Sequence, residues 1–177
     1  MHKNSQRIMS DAVARYACGD TGTVLDVGAL NVNGTYKAIW EKAGWVYTGL
    51  DVAAGDNVDV IAENPLIHPF PDAHFDAVIT GQCLEHSGPF WLIAREMVRE
   101  LRPGGLLICI VPFVWPIHRY PKGCWRFAPD GLDYLFSSWC SLDRQESGLS
   151  GEPAAVGHVD CFYVGRKLTT GEGVVKT

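Results

Sequence analysis

Segments typical of buried strands alternate with helical segments along residues 23–113, and this alternation constrains the fold more than any other feature. The strand-like runs are "TVLDV", "WVYTGLD", "NVDVIAE", "FDAVITG" and "LLICIVP". Between them, "TYKAIWEKAG" and "PFWLIAREMVRELRPGG" carry apolar residues at helical spacing. Strands that alternate with helices predict a mostly parallel sheet covered by helices on both faces. We therefore predict an α/β fold of the doubly wound, Rossmann-like kind.

The two ends of the sequence extend this pattern. A short helix is expected around Met9 to Cys18, and "PDGLDYLFSSW" also has helical character. "CSLDRQES" and "HVDCFYVGRK" predict two final strands, close enough for an antiparallel pair. On the helix that precedes "LLICIVP", Trp91 and Met97 are expected in the core. We find no internal repeat or linker and expect a single domain over residues 1–177, with its core at about 22–166.

The amino-acid composition indicates which kinds of partner the protein binds and in which cellular compartment it lies. A net charge of −5 argues against a nucleic-acid surface, which would carry a basic face. The six cysteines include no Cys-x-x-Cys pair, so we expect no structural zinc site and a reducing compartment. The N-terminus has no apolar signal core, and the longest apolar run is broken by prolines. We expect a cytoplasmic protein without a membrane partner.

The loop after the first strand departs from both common phosphate-binding motifs. Gly28 is followed by Ala29 and Leu30, so the glycine that lets a backbone approach a pyrophosphate is missing. Asp51, however, ends the second strand, where an acidic side chain accepts hydrogen bonds from ribose hydroxyls. A ligand with a ribose and no phosphate fits both facts, and S-adenosylmethionine is such a ligand. The alternative is a tight turn with a surface aspartate.

Four motifs occur in order along about residues 22–113: "VLDVGALNVNG", "YTGLDVAAGDNVDVIAE", "HPFPDAHFDAVITGQCLEH" and "MVRELRPGGLLICIVP". Together they resemble the class I S-adenosylmethionine-dependent methyltransferases, near the type 11 group. The resemblance implies an enzyme with a seven-stranded sheet of order 3-2-1-4-5-7-6, in which strand 7 is antiparallel. It also implies S-adenosylmethionine as the cofactor.

The resemblance assigns cofactor contacts residue by residue. The residues around the first loop line the methionine part of the cofactor. They are Asp26, Gly28, Ala29 and Asn31. Asp51 takes the ribose hydroxyls, Val52 packs on the adenine, and Glu63 lies near the adenine amino group. Gly81 and Gln82 face the sulfonium. The family's usual Gly-x-Gly is replaced here by Gly28-Ala29-Leu30, which is the main departure. We expect no metal here either, because Gln82 stands at the first position of the Glu-x-x-Glu-His cluster through which some methyltransferases bind a metal.

Two segments carry the residues that could act on a methyl acceptor. Glu85 and His86 come just after the fourth strand, and the segment after the fifth strand holds His118, Arg119, Tyr120, Trp125 and Arg126. We expect this second segment, residues 115–130, to be a loop until about Pro129 and to form a wall of the acceptor pocket. His86 or His118 is the candidate base, and Glu85, Arg119, Tyr120, Trp125 and Arg126 are the candidate acceptor contacts.

Other interpretations remain open for these residues. His86 can instead cap or orient the helix that begins near Pro89, and the aromatic residues of 113–127 can be core. Methylation of a small molecule, such as a sugar or another metabolite, at oxygen or nitrogen is the function that we predict. A methyltransferase-like binding module without turnover is the alternative. A nicotinamide oxidoreductase is disfavoured by the missing glycine. The sequence fixes neither the acceptor nor the oligomeric state.

Overall fold

A seven-stranded sheet with the order β3-β2-β1-β4-β5-β7-β6 forms the centre of the protein in a computed structural model that describes residues 2–116, 119, 122–152 and 158–169. β1 to β5 run parallel, and β7 lies antiparallel to both β5 and β6. The predicted fold class and strand order are confirmed. The strands are β1 (Thr23–Val27), β2 (Val46–Asp51), β3 (Val60–Ile61), β4 (Phe75–Gly81), β5 (Leu101–Val114), β6 (Leu142–Glu152) and β7 (His158–Lys167).

Helices cover the two faces of the sheet. α1 (Lys3–Tyr16) and α2 (Lys37–Lys42) contribute to one apolar core, which includes Met9 and Trp40. α3 (Phe90–Glu100) and α4 (Pro129–Asp133) contribute to the other, and α4 continues as a π-helical turn over Tyr134–Trp139. A short 3₁₀ turn, Leu84–His86, follows β4. No helix among the described residues is long and apolar enough to cross a membrane.

β5 begins earlier than the sequence indicates. The Pro-Gly-Gly that follows α3 predicts a break before Leu106, yet the strand begins at Leu101. Leu101 pairs with Phe75, and after an irregularity Leu106 pairs with Ala77. The Pro-Gly-Gly residues therefore form a bulge within the strand, because the sheet pairs the residues on both sides of it.

The core prediction for α3 holds for one of its two residues. Met97 is fully buried, as predicted. Trp91 is 39% exposed, so its assignment to the core is wrong. Its ring lies at the rim, with its centroid 5.3 Å from that of Phe90 and 6.4 Å from that of Trp125. Helical spacing alone does not separate a core position from one that packs against a neighbouring loop.

The topology places several strand ends at one edge of the sheet. β1 lies between β2 and β4. The chain therefore adds β2 and β3 on one side of β1, and β4 and β5 on the other side. Ligands of doubly wound sheets bind at such a switch point, outside the carboxyl ends of the strands. Gly28, Asp51 and Gln82 lie at these ends, directly after or at the last residue of β1, β2 and β4. The residues assigned to the cofactor thus meet at one edge.

Candidate active site

Gly28 opens the loop after β1 in a conformation that requires glycine. Its φ is +83°, and a Cβ at this position would collide with Cys83. The backbone amides of Gly28 and Ala29 donate to the carbonyl oxygen of Leu50, at 2.9 and 3.0 Å. Ala29 is fully buried. The single glycine therefore serves the turn itself, and the loop backbone is held against β2.

The same loop is fastened to the segment that follows β2. Nδ2 of Asn31 donates to Oδ2 of Asp56 at 2.6 Å, and its Oδ1 accepts from the amide of Gly34 at 2.7 Å. Nδ2 of Asn57 donates to the carbonyl oxygen of Ala29 at 2.8 Å. Both ends of the Asn31 amide are thus engaged, one within the loop and one with the segment after β2. The predicted role of Asn31 toward a ligand stays a prediction.

Asp26 lies beneath the loop as a buried carboxyl with one unsatisfied oxygen. The hydroxyl of Tyr47 donates to its Oδ2 at 2.5 Å, while Oδ1 has no hydrogen-bond partner in the part of the chain that the structure describes. Burial raises the pKa of Asp26 to about 7, against the opposing effect of the Tyr47 hydrogen bond. Tyr47 also accepts from Asn57 at 2.8 Å. A buried polar network from Asp26 to Asn57 thus supports the loop from below.

Asp51 retains capacity for a further hydrogen bond. Its Oδ1 accepts from the amides of Val52 and Ala53 at 2.7 and 3.2 Å, and its Oδ2 accepts from the amide of Leu30 at 3.0 Å. A carboxylate offers about four acceptor positions, so one remains, on Oδ2. A ribose hydroxyl fits that position. The amide of Leu30 also explains how a loop without a second glycine is anchored at the strand end.

Apolar side chains are exposed beside Asp51. Val52 is 57% exposed, and Ile61, the register partner of Asp51 on β3, is 49% exposed. Glu63 is exposed two residues further along. A flat, apolar ring system with a polar edge would cover these aliphatic groups and leave its amino group near a carboxylate. The residues present therefore fit an adenosine group at this edge.

Gly81 and Gln82 form the end of β4. A Cβ on Gly81 would collide with the hydroxyl of Tyr36, so this glycine makes room for a buried aromatic ring. Gln82 has a φ of +57°, which is unusual for a residue with a side chain. Its Nε2 donates to Oδ1 of Asp160 at 2.9 Å. Non-glycine residues with such backbone angles cluster at functional sites.

Glu85 is a buried carboxyl whose oxygens make no hydrogen bond among the described residues. Its side chain is fully buried, and both Oε1 and Oε2 are unsatisfied. Burial raises its pKa to about 8, although Arg126 acts in the opposite direction. Its backbone carbonyl accepts from the amides of Cys124 and Trp125, at 2.7 and 3.1 Å. Glu85 therefore joins the end of β4 to the segment after β5 and carries a proton near neutral pH.

His86 lies beside Glu85 with a defined tautomer. Its Nδ1 is 2.6 Å from the carbonyl oxygen of Lys122. Because a carbonyl oxygen only accepts, Nδ1 carries the hydrogen, and Nε2 of the neutral ring holds the lone pair. Nε2 is 3.6 Å from Oε1 of Glu85. Pro89, the N-cap residue of α3, makes no side-chain cap hydrogen bond, and His86 hydrogen-bonds to the segment after β5. Its role as a base or as a residue that orients the helix stays a prediction.

The segment after β5 forms an open cleft of about 480 Å³. Outside β5 and α4, its described residues form no helix or strand, in agreement with the predicted loop. Nε1 of Trp125 donates to the carbonyl oxygen of Ser87 at 2.8 Å, and Nη2 of Arg126 donates to that of Pro116 at 3.1 Å. His118 and Tyr120 lie outside the described residues. The cleft is lined by Trp115, Arg119, Lys122, Gly123, Cys124, Trp125 and Arg126.

The aromatic residues of 113–127 divide between the core and the surface. Phe127 is buried, whereas Phe113 and Trp125 are 37% and 39% exposed. The ring centroid of Trp125 lies 5.2 Å from that of Phe90. The interpretation of these residues as core therefore holds for Phe127 alone among these three. Of the two exposed residues, Trp125 lines the cleft and is available to a ligand there.

Sequence reasoning missed several residues that support the site from behind. Tyr36 packs under Gly81, Tyr47 and Asn57 hold the first loop, and Asp160 binds Gln82. Asp160 gave the clearest signal, since it is a charged residue between the apolar residues Val159 and Cys161. The partners of the other three come from distant parts of the chain, and periodicity does not reveal such pairs.

One group of three possible metal ligands occurs among the described residues, and it lies away from this site. It comprises His68, Glu96 and Glu100. The backbone carbonyl of Glu100 accepts from His74, just before β4 begins and so at the opposite edge of the sheet. Arg99 pairs with the carboxylates of Glu96 and Glu100, at 2.9 and 3.5 Å. The group is thus balanced by a cation of the chain itself, and the absence of a metal stays a prediction.

Comparison with known proteins agrees with this fold. Residues 25–109 match the family described as a methyltransferase domain. Demethylmenaquinone methyltransferase of Listeria welshimeri is 44% identical over 54 residues, 30% of this chain and 23% of the relative. That of Roseiflexus castenholzii is 32% identical over 113 residues, 55% of this chain and 46% of the relative. The chain thus spans less than half the length of these curated relatives.

A solved structure is similar over most of the chain. It is the 1,6-didemethyltoxoflavin-N1-methyltransferase of Burkholderia thailandensis, bound to 1,6-didemethyltoxoflavin and S-adenosylhomocysteine. The TM-score is 0.74 at 19% identity, over 93% of this chain and 79% of that one. The fold and its strand-end site define a Rossmann-like methyltransferase domain. Residues 25–109, just under half of the chain, thus match a methyltransferase domain, and this match bears out the predicted resemblance to S-adenosylmethionine-dependent methyltransferases, with the enzyme class and cofactor that it implies.

Proposed function

We propose that this protein transfers a methyl group from S-adenosylmethionine to oxygen or nitrogen of a small-molecule acceptor. The observation that carries the proposal is the pair formed by Glu85 and His86. A buried, unsatisfied carboxyl and an imidazole with a defined lone pair lie directly after β4, beside an open cleft. A purely structural turn has no need of a buried carboxyl without a hydrogen-bond partner.

The residues at the strand ends would hold the cofactor, which supplies a methyl group on a positively charged sulfur. Asp51 accepts a ribose hydroxyl on its remaining position, and Val52 and Glu63 take the adenine. The loop from Gly28 to Asn31, with Asp26 beneath it, faces the amino-acid part. Gly81 and Gln82 line the side of the methyl group.

His86 is the proposed base. With the cofactor bound, the acceptor's oxygen or nitrogen would take the methyl carbon, and the sulfur would keep the electron pair of the broken carbon–sulfur bond. The acceptor's proton passes to Nε2 of His86, whose lone pair is fixed by the hydrogen bond of Nδ1 to Lys122. The ionised form of Glu85, which becomes populated as the pH approaches about 8, stabilises the resulting imidazolium. His118 remains the second candidate base.

The cleft favours an acceptor with a ring and an anionic or sugar-like group. Arg119 and Lys122 bring positive charge to a chain whose net charge is −5, and Trp115 and Trp125 offer aromatic faces. The names of the similar proteins specify small-molecule acceptors, demethylmenaquinone and 1,6-didemethyltoxoflavin. We also propose that residues 1–177 act as one domain, in the cytoplasm and without nucleic acid.

Substitution of Arg119, the exposed arginine of the cleft, should affect binding of the acceptor and not binding of the cofactor. Arg119→Ala should raise the acceptor's KM by roughly three- to tenfold, because one charge-assisted contact is lost. Cofactor affinity should stay within about twofold. Arg144→Ala, on β6 and outside the cleft, is the control. Steady-state kinetics and cofactor titration separate the two effects. Loss of cofactor binding together with thermal stability would mean that this segment serves packing rather than the acceptor.

Methyl transfer itself tests the proposal. The protein is incubated with methyl-labelled S-adenosylmethionine and a panel of ring compounds that carry a hydroxyl or amine and an anionic group. Mass spectrometry then follows both the methylated product and S-adenosylhomocysteine. Formation of both, dependent on acceptor and His86, supports turnover. Cofactor binding without any S-adenosylhomocysteine, across sugars and other metabolites as well, would instead support the binding-module alternative.

A further inference from the structure

Asp160 is a fully buried carboxylate that belongs to none of the roles assigned above. It lies on β7, opposite Pro112 of β5 and Ser150 of β6. Its Oδ1 accepts from Nε2 of Gln82 at 2.9 Å, and its Oδ2 accepts from Nδ2 of Asn4 at 2.6 Å. A buried charge is costly unless polar groups surround it. Here the surrounding donors come from two separate parts of the fold.

One of these parts is the turn after β4, which the proposed function assigns to the side of the transferred methyl group. Gln82 leaves β4 with a φ of +57°, and its amide donates to the carbonyl oxygen of Ile110 at 2.9 Å. The side chain then reaches Asp160 rather than solvent. A left-handed residue persists when its surroundings determine its position. The hydrogen bond from the side chain of Gln82 to Asp160 helps to hold Gln82 in this conformation.

The other part is the first turn of α1. Nδ2 of Asn4 donates to the carbonyl oxygen of Ser150 as well as to Asp160, and its Oδ1 accepts from Arg7 at 3.1 Å. Every polar atom of this side chain is therefore engaged, and its orientation is fixed. The imidazole of His2, at the start of the helix, lies with Nε2 3.3 Å from Oδ1 of Asp160.

A second link joins the same turn of α1 to β4. Ser5 is fully buried and hydrogen-bonds to the hydroxyl of Tyr36, which occupies the space beside Gly81. The ring of His2 also packs on Trp115, which stacks on His158. The first turn of α1 is thus connected to both residues at the end of β4 and to the wall of the cleft.

We propose that Asp160 is a positioning residue, which couples the docking of α1 to the position of Gln82 in the active site. The inference rests on the proposed function, because Gln82 matters only if a cofactor lies against it. Asp160 itself touches no reacting atom. Its effect passes through Gln82, so substitutions in α1 far from the reaction change the site. Coupling between two sites is reciprocal, and bound cofactor must also tighten α1.

Asn4→Ala tests the coupling because it removes the α1 donor and leaves Asp160 and Gln82 in place. Titration with S-adenosylhomocysteine compares the wild type, Asn4→Ala, Gln82→Ala and the double variant. Each single substitution should weaken binding by roughly three- to tenfold, as expected for one hydrogen bond. The double variant should be no weaker than the stronger single variant, since both break one connection. Glu146→Gln, which loosens Arg15 and Tyr16 at the other end of α1, is the control and should change affinity less than twofold.

Hydrogen exchange provides the reciprocal measurement. In the wild type, S-adenosylhomocysteine should slow amide exchange in residues 3–8, and in Asn4→Ala this protection should be lost although ligand is saturating. Independent, multiplicative losses of affinity in the double variant, or unchanged protection of α1 in Asn4→Ala, would overturn the inference. A wild type that does not bind S-adenosylhomocysteine at all would instead refute the proposed function. The two failures are therefore distinct.

Discussion

Glu85→Gln should make the folded protein more stable at pH 8 and leave its stability unchanged near pH 4.5. In the folded protein burial raises the pKa of Glu85 to about 8, from an ordinary value of 4.5. Glutamine resembles the protonated carboxyl in shape and has no charge to bury. The expected gain in the free energy of unfolding at pH 8 is on the order of 4 kcal/mol, since each pKa unit corresponds to about 1.4 kcal/mol.

The direction of this pH dependence of stability follows from proton binding. Between pH 4.5 and about 8 the unfolded chain has lost the proton of Glu85 while the folded protein keeps it. The folded state therefore binds more protons, and its stability falls as the pH rises through this range. This contribution is fully present below pH 4.5 and is lost at about pH 8. The glutamine variant has no such group, so its stability should not decline for this reason.

The same substitution should reduce turnover strongly. Near pH 8 the wild-type carboxyl is partly ionised, whereas glutamine cannot become negatively charged and cannot stabilise a protonated His86, so at this pH the loss should approach the roughly 100-fold contribution of general acid–base groups. Denaturant unfolding at pH 5 and pH 8 and kinetics at saturating cofactor measure the two effects. Glu41→Gln, on the exposed face of α2, is the control. If the variant and the wild type lost stability in parallel with pH, Glu85 would be ionised in the folded protein and its assignment would fail.

Asp51→Ala should weaken cofactor binding by roughly 10- to 150-fold. A hydrogen bond to a charged group contributes about 1.5–3 kcal/mol, which corresponds to this range. The carboxylate also accepts a hydrogen bond from the amide of Leu30, so part of the loss of affinity comes from a looser loop. Calorimetric titration with S-adenosylhomocysteine gives the dissociation constants. The acceptor's KM at saturating cofactor should change little.

Asp56→Ala separates these two contributions. Asp56 holds the same loop through Asn31, at 2.6 Å, and does not lie at a strand end. Its removal therefore loosens the loop without removing a ribose contact. We expect a loss of affinity below about fivefold, as for one exposed hydrogen bond. Equal losses for Asp51→Ala and Asp56→Ala would show that the ribose assignment is wrong.

The strands were predictable because their signals are local. β1, β4 and β7 begin and end where apolar runs in the sequence do, since buried strands are continuous apolar segments bounded by turn residues. Their order follows from the resemblance of four motifs in register. α1, by contrast, begins at Lys3, well before the predicted start near Met9. Asn4 and Ser5 find partners on β6, β7 and Tyr36, and these tertiary contacts extend the helix.

The site was predictable where it lies at strand ends and not where it depends on distant partners. Gly28, Asp51 and Gln82 follow from position alone. The unsatisfied state of Glu85 depends on how the segment after β5 covers it, and the tautomer of His86 depends on Lys122. Trp91 was misplaced because its ring packs against Trp125, 34 residues away in the chain. Such contacts arise in folding, and no local pattern encodes them.

Calorimetric titration of S-adenosylhomocysteine into the wild-type protein, with the melting temperature measured in parallel, tests the central claim most directly. We expect saturable binding at one site per chain and a melting temperature that rises with ligand concentration, because a ligand that binds only the folded state stabilises it. A nicotinamide dinucleotide at the same concentration should produce neither effect. No heat and no thermal shift with S-adenosylhomocysteine at millimolar concentration would contradict the assignment of this strand-end site to the cofactor.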